Sequence, residues 1–258
     1  MTTPPTADAF TPGGDSATRR LFVVLADARK RNRSEAVRKV WADILDLPAR
    51  DTAAVLNGVA TLIRLTGDAK AEVQALPHVD HAIYLKPFAS IEEGFAQANL
   101  ETPFESFARF MDEPTMVALQ FCVDSVSRLS TMSLIPADEL KQLHSEASDL
   151  LESLLKSSVP EELRALLAEH LHLFLSAINS YRITGADGLE RALQVALGGF
   201  VVRNQTIKIA LEHPDSKSTV TSFFKIVERL STLLAAAGHM KELGVPLLRK
   251  LLGPGFTE

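Results

Sequence analysis

At 258 residues, with 46% hydrophobic and 23% charged side chains and a formal charge of −5, the chain has a globular composition and enough apolar material for one large domain or two small ones. Its single cysteine, Cys122, excludes an intrachain disulfide and a cysteine-built zinc site and fits a reducing compartment. Aromatic residues make up only 6%, mostly Phe, so Leu, Ala and Val must fill the core, which favours packed helices over sheets.

Residues 1–18, rich in Thr, Pro and Gly, lack apolar periodicity and are expected to form a disordered tail. They also lack a basic segment followed by an apolar run, so no secretory signal is expected and the expected location is the cytoplasm. A first helix places Leu21, Phe22, Leu25 and Ala28 on one side. A second carries Val37, Val40, Trp41 and Ile44 and ends before Pro48. A third starts near Asp51, aligns Val55, Val59, Leu62 and Ile63, and is expected to stop at Gly67, with Asp68 capping a short helix that ends before Pro77.

From Pro77 to Pro114 four prolines shorten the pattern, and Phe88, Phe95, Phe104, Phe107 and Phe110 supply anchors for short helices and turns. Helix starts are also signalled by a hydroxyl three residues before a glutamate, at Ser90 to Glu93, Thr102 to Glu105 and Ser158 to Glu161, with Pro103 and Pro160 near two of them.

Longer helices begin near Pro114, Pro136 and Pro160. Their stripes are Leu119, Cys122, Val126 and Leu129; then Leu140, Leu143, Ala147, Leu150 and Leu154; then Leu163, Leu167, Leu171, Phe174 and Ile178. Gly185 and Gly188 bracket the next start. Between residues 199 and 211 helix and hairpin compete, and helix is favoured. Leu193 to Leu211 is the best candidate for a membrane span, but Arg203 and Lys208 interrupt it below the ~18 to 20 residues required. Gly188, Gly198 and Gly199 leave it open to association with a membrane surface. A final helix, about Ser218 to Ala237, spaces Phe223, Val227, Leu230, Leu234 and Ala237 as a packing seam. No repeat has a fixed period. The expected fold is all-α, an irregular multi-helix bundle or orthogonal array of about nine or ten helices, forming one domain over 19–258 with a soft subdivision near Pro114.

Charge asymmetry is the strongest lead to function. Residues 19–39 hold eight basic side chains against two acids, an excess of +6, so the remainder carries −11. The candidate binding patch is Arg29, Lys30, Arg31, Arg33, Arg38 and Lys39, able to attract an acidic protein surface or a phosphate backbone unless it is ordinary solvated surface. Trp41 and Phe22 fall on apolar stripes, so base stacking has no support.

Glu169 and His172 match half of a carboxylate-bridged di-metal motif and lack its second copy. His170 reads as a satisfied core imidazole. His78, Asp80 and His81 lack a further ligand and read as a turn, while His213 and His239 read as helix C-terminal cations. Cys122 lies on an apolar stripe, where a thiol pKa is raised. Gly198 and Gly199 lack the context of a phosphate loop and suit close helix packing. Acid pairs such as Glu92 with Glu93, Asp138 with Glu139 and Glu161 with Glu162 sit in first helical turns. There they serve the helix dipole rather than acid–base chemistry. No catalytic residue, metal or cofactor is implied.

Phe104, Phe107 and Phe110, with Met111 and Met116 nearby, form either a satellite core or a groove for a partner helix. Phe223, Val227 and Leu230 offer a second partner surface, with a homodimer through the last helix as one use. The expected function is a non-enzymatic helical interaction protein, an adaptor or regulator that binds another protein. An electrostatic nucleic-acid binder using the 19–39 region is the alternative, and a metal-dependent hydrolase assembled from distant residues is the third reading.

Overall fold

The computed structural model describes residues 14–130, 132–203, 207 and 214–239, and these adopt the expected all-α, multi-helix fold with no strand among them. The contacts of the chain gather into two compact units, Met1–Thr131 and Met132–Glu258. The boundary therefore falls after Thr131 and not near Pro114. Pro114 opens a helix whose Met116, Leu119 and Val123 are buried within the first unit.

The first unit contains α1 (Ala17–Ala28), α2 (Val37–Leu45), α3 (Thr52–Gln74), α4 (His81–Tyr84), α5 (Lys86–Ala96), α6 (Glu105–Ala108), a 3-10 turn (Arg109–Met111) and α7 (Glu113–Ser127). Helix α1 packs against α3 and α7, and α5 also packs against α7. The helix starts here are set by Ser16, Asp51, Asp80 and Asp112, whose side chains accept from the backbone N–H of Arg19, Ala54, Ala82 and Thr115. Ala17 and Thr18, expected in the tail, are instead buried in α1, and residues 1–13 lie outside the described residues.

None of the three hydroxyl–glutamate signatures forms a cap. Ser90 lies inside α5 and donates to the Phe110 carbonyl at 3.0 Å. Thr102 lies in a loop and donates to the Asn99 carbonyl at 2.8 Å. At the third, the helix does start at Glu161, but Pro160 occupies the cap position with no side-chain capping bond. Gly67 likewise does not end α3. A Cβ there would meet nothing within 4 Å, while Leu65, Thr66, Ala69 and Val73 continue the buried face, so burial on one side outweighs the propensity cost on the other. Asp68 is consequently a mid-helix residue.

Trp41 is fully buried and organises the aromatic core of this unit. Its ring centroid lies 5.2 Å from Phe107, 5.7 Å from Phe104 and 6.1 Å from Phe95. Next to this core, two loops clasp each other through their backbones. Val37 and Arg38 donate to the carbonyls of Thr102 and Leu100, both at 2.9 Å, while Phe104 and Glu105 donate to those of Glu35 and Arg33 at 2.7 and 2.9 Å. The clasp brings the basic 33–38 segment against the acidic 101–105 segment.

The second unit contains α8 (Ala137–Leu155), α9 (Glu161–Asn179), α10 (Tyr181–Val202) and α11 (Pro214–Ala236). Helix α9 packs on α8 and α10, and α11 packs on the same two helices. Gly185, at φ 59° and ψ −157°, kinks α10 with a backbone conformation that only glycine adopts readily. Gly199 to Val202 are helical, as favoured from the sequence, whereas 204–206, 208–211 and His213 lie outside the described residues. Arg229 of α11 ties α8 in place by donating to Glu139 at 2.7 Å, to Gln142 at 2.6 Å and to Glu146.

Candidate functional site

The outer face of α1 and the N-terminal half of α7 form an open groove of about 340 Å³. Its apolar surface comes from Phe22 and Ala26 of α1 and Met116 and Val117 of α7, and its polar rim is Arg29, Lys30, Arg33 and Glu113. The local sequence accounts for this division. Leu21, Val24, Leu25 and Ala28 are buried on one side of α1, so Phe22, Ala26 and Arg29, one helical turn apart, lie along another. On α7 the buried row is Met116, Leu119, Cys122 and Val123, which leaves Val117 41% exposed and Phe121, one turn further, 62% exposed.

Three of the six candidate basic residues therefore rim a concave surface, but most of the patch is already matched by carboxylates. Arg29 pairs with Glu113 at 2.8 Å, Arg31 with Asp27 at 3.5 Å, Arg33 with Glu105 at 3.2 Å, and Arg38 with Glu101 at 2.7 Å. Lys39 pairs with Glu35, and that hydrogen bond, followed by its charge, raises the lysine pKa. Lys30 alone of the six has no carboxylate partner among the described residues, and it is exposed. The +6 excess counted along the chain is thus offset in space by Glu101, Glu105 and Glu113, which the clasp and α7 deliver from elsewhere.

The resolved electrostatics beside the groove serve the fold. Asp112 is held below the usual carboxylate range first by the Thr115 hydroxyl, then by the Thr115 backbone N–H, with help from Arg29. It is a helix cap and faces no general-acid partner. Such a groove can receive an apolar side chain beside a carboxylate.

The remaining candidates are dispersed. Phe104 and Phe107 are fully buried around Trp41, and Phe110 is half-buried with the Arg109 guanidinium 4.7 Å from its ring centre. These three belong to the core, or to its edge, and offer no groove. Phe223, Val227 and Leu230 are buried by α8, α9 and α10 within the second unit, so the seam of the last helix is used internally and is not a free surface for a second copy.

Glu169 and His172 are both exposed, Glu169 lies 3.8 Å from Arg203, and no three His, Cys, Asp or Glu side chains gather into a metal-binding group among the described residues. His170 is buried, with Nδ1 2.6 Å from the Leu166 carbonyl, and its ring packs on Gly199 and Phe200. Gly199 thus has the close-packing role expected of it, whereas Gly198 faces open space. His78 has a left-handed backbone at φ 61°, Asp80 caps α4, and His81 is exposed. His239 closes the C-terminal turn after α11, its backbone N–H donating to the Leu234 carbonyl at 3.0 Å. Burial pushes the Cys122 thiol up to about 11.

Sequence reasoning found the rim of the groove and missed its floor. The missed signal was a second apolar row on α7, Val117 and Phe121, beside the stripe that faces the core. No helix among the described residues is long and apolar enough to cross a membrane. No protein-family model, curated protein or solved structure matches this chain.

Proposed function

We propose that this chain is a non-enzymatic protein-binding module, an adaptor or regulator, which engages its partner through the α1–α7 groove. The observation that carries the reading is the coincidence of an apolar floor, half-buried Phe22 and exposed Val117, with a rim of Arg29, Lys30 and Arg33. Apolar surface bordered by charge is typical of recognition surfaces. The nucleic-acid alternative draws less support. Five of the six patch cations are paired with carboxylates, and Glu113 sits on the rim itself, where it would repel phosphate.

A photo-crosslinking side chain placed at Val117 of the full chain, irradiated in extract of the native host, tests this. A discrete protein adduct that disappears when Ala26→Arg fills the groove is the expected result. No adduct, an adduct indifferent to Ala26→Arg, or one that nuclease removes would overturn it.

A further inference from the structure

The outer face of α10 ends in apolar surface. Asp187, Arg191, Gln194, Val195, Gly198 and Val202 recur at helical spacing and are all exposed, while Leu189, Leu193, Ala196 and Phe200 fill the core from the opposite side. Val195 is 49% exposed and Val202 84%, with Val201 beside it at 47%. The stripe is therefore polar at its Asp187 end and apolar over its last two turns.

Helix α11 delivers the chain to the polar end of this stripe. Phe200 of α10 packs beside Phe224 of α11 at 5.0 Å, whereas His239, just past α11, places Nδ1 3.9 Å from Oδ1 of Asp187, so the two helices run antiparallel. Gly238, at φ 82°, and His239 close α11 by donating their backbone N–H groups to the carbonyls of Ala235 and Leu234, both at 3.0 Å. This left-handed glycine turn ends the helix and swings the chain off its axis. The approach of His239 to Asp187 sets the chain beside the exposed side of α10.

The sequence that follows, residues 240–258, matches that face. Leu247, Leu248, Leu251 and Leu252 share one side of a helix, with Arg249 and Lys250 on the other, Pro246 at the position of a helix start and Gly253 just past its end. A strand would set a charge between the leucines on each of its faces, so the pattern predicts a helix. The reach is sufficient. Val195 lies about 12 Å along α10 from Asp187 at the helical rise, whereas residues 240–246 can span up to about 24 Å. The leucines then extend over nearly two turns, as the valines do.

We propose that the outer face of α10 is an interaction surface whose occupant is the chain's own segment 243–252, with its leucines over Val195, Gly198 and Val202. The surface belongs to the second unit and is independent of the α1–α7 groove. Its apolar end selects a leucine face over a charged partner segment, and the position to which His239 brings the chain selects the same copy over a second one.

The test places a photo-crosslinking side chain at Val195 of the purified full chain, followed by tryptic digestion and mass spectrometry. The expected product joins the α10 peptide to residues 242–249 or 251–258 within a chain of monomer mass. Leu248→Glu combined with Leu251→Glu is expected to reduce this product about five-fold or more without altering the circular dichroism, because it would place charge against the valines. Lys250→Gln, on the opposite side of the leucine face, is expected to leave it intact. No cross-link to the segment, a cross-link formed only between two copies, or a product that the leucine variant leaves unchanged or that Lys250→Gln reduces equally would overturn the assignment.

Discussion

The Glu72 carboxylate of α3 adds to the Ser16 cap of α1 through Thr18, which donates to it both its backbone N–H at 2.9 Å and its hydroxyl at 2.7 Å. The Ala17 N–H adds a third bond at 2.8 Å, so a side chain 54 residues from Thr18 satisfies donors that the first turn of α1 cannot satisfy itself. Removing this carboxylate strands partly buried N–H groups at the end of a helix that also walls the groove. Glu72→Ala should cost about 2–3 kcal/mol and Glu72→Gln about half as much. Hydrogen exchange of the full chain would show the loss as faster exchange in α1 and α3, and unchanged protection there would refute it.

The elements legible in the sequence were those whose own periodicity exceeded every competing signal. The Leu21–Leu25–Ala28 row of α1, the Leu143–Ala147–Leu154 row of α8 and the Leu163–Leu167–Leu171 row of α9 are all buried as expected. Boundaries read from single residues fared worse. Gly67 and Ser90 sit inside helices because tertiary burial on one face overrides local punctuation. Phe104 and Phe107 show a different limit: a row of aromatic residues on one short helix looks the same whether its face meets solvent or Trp41. The groove was half legible for a related reason. Its cations cluster along the chain, but its floor exists only because α1 and α7, some ninety positions apart, lie side by side.

Cys122 should make the protein less stable in alkali. Burial raises the folded-state thiol pKa to about 11, above the ordinary value near 9, so between these values the folded state holds a proton that the unfolded chain has released. The contribution is complete below pH 9 and is lost as pH rises through 11, amounting to about 2–3 kcal/mol over that window. Cys122→Ala should flatten this part of the stability profile. A wild-type profile that matches the variant between pH 9 and 11 would rule the thiol out. The same burial predicts slow reaction with a thiol reagent at pH 8 until denaturant is added.

Arg229 should resist replacement by lysine. Its pKa is raised, chiefly by the hydrogen bond to Glu139 with a further contribution from the charge of Glu146, so the guanidinium keeps its charge at any working pH. Its planar fork serves Glu139, Gln142 and Glu146 along successive turns of α8, which a single ammonium cannot reproduce. Arg229→Lys should lose about 1–2 kcal/mol, close to the loss from Arg229→Ala, because geometry and not charge alone carries the tie. Urea titration of both variants would check this, and a lysine variant as stable as the wild type would show that charge suffices.

Neighbouring glycines on α10 should respond to alanine with opposite sign. A Cβ on Gly199 would stand 2.6 Å from Nε2 and 2.8 Å from Cε1 of His170. The imidazole cannot simply retreat, because it is buried, bonded to the Leu166 carbonyl and packed beside Phe200 and Phe223. Gly199→Ala should therefore destabilise by about 1–3 kcal/mol through overpacking. A Cβ on Gly198 meets nothing within 4 Å in a helical backbone, so Gly198→Ala should stabilise by up to about 1 kcal/mol by restricting the unfolded chain and improving helix propensity. Gly67→Ala on α3 has the same open surroundings and should behave like Gly198→Ala. Thermal unfolding of the three variants decides the matter: if Gly198→Ala and Gly199→Ala shift the midpoint in the same direction, the His170 contact does not set the packing distance between α9 and α10.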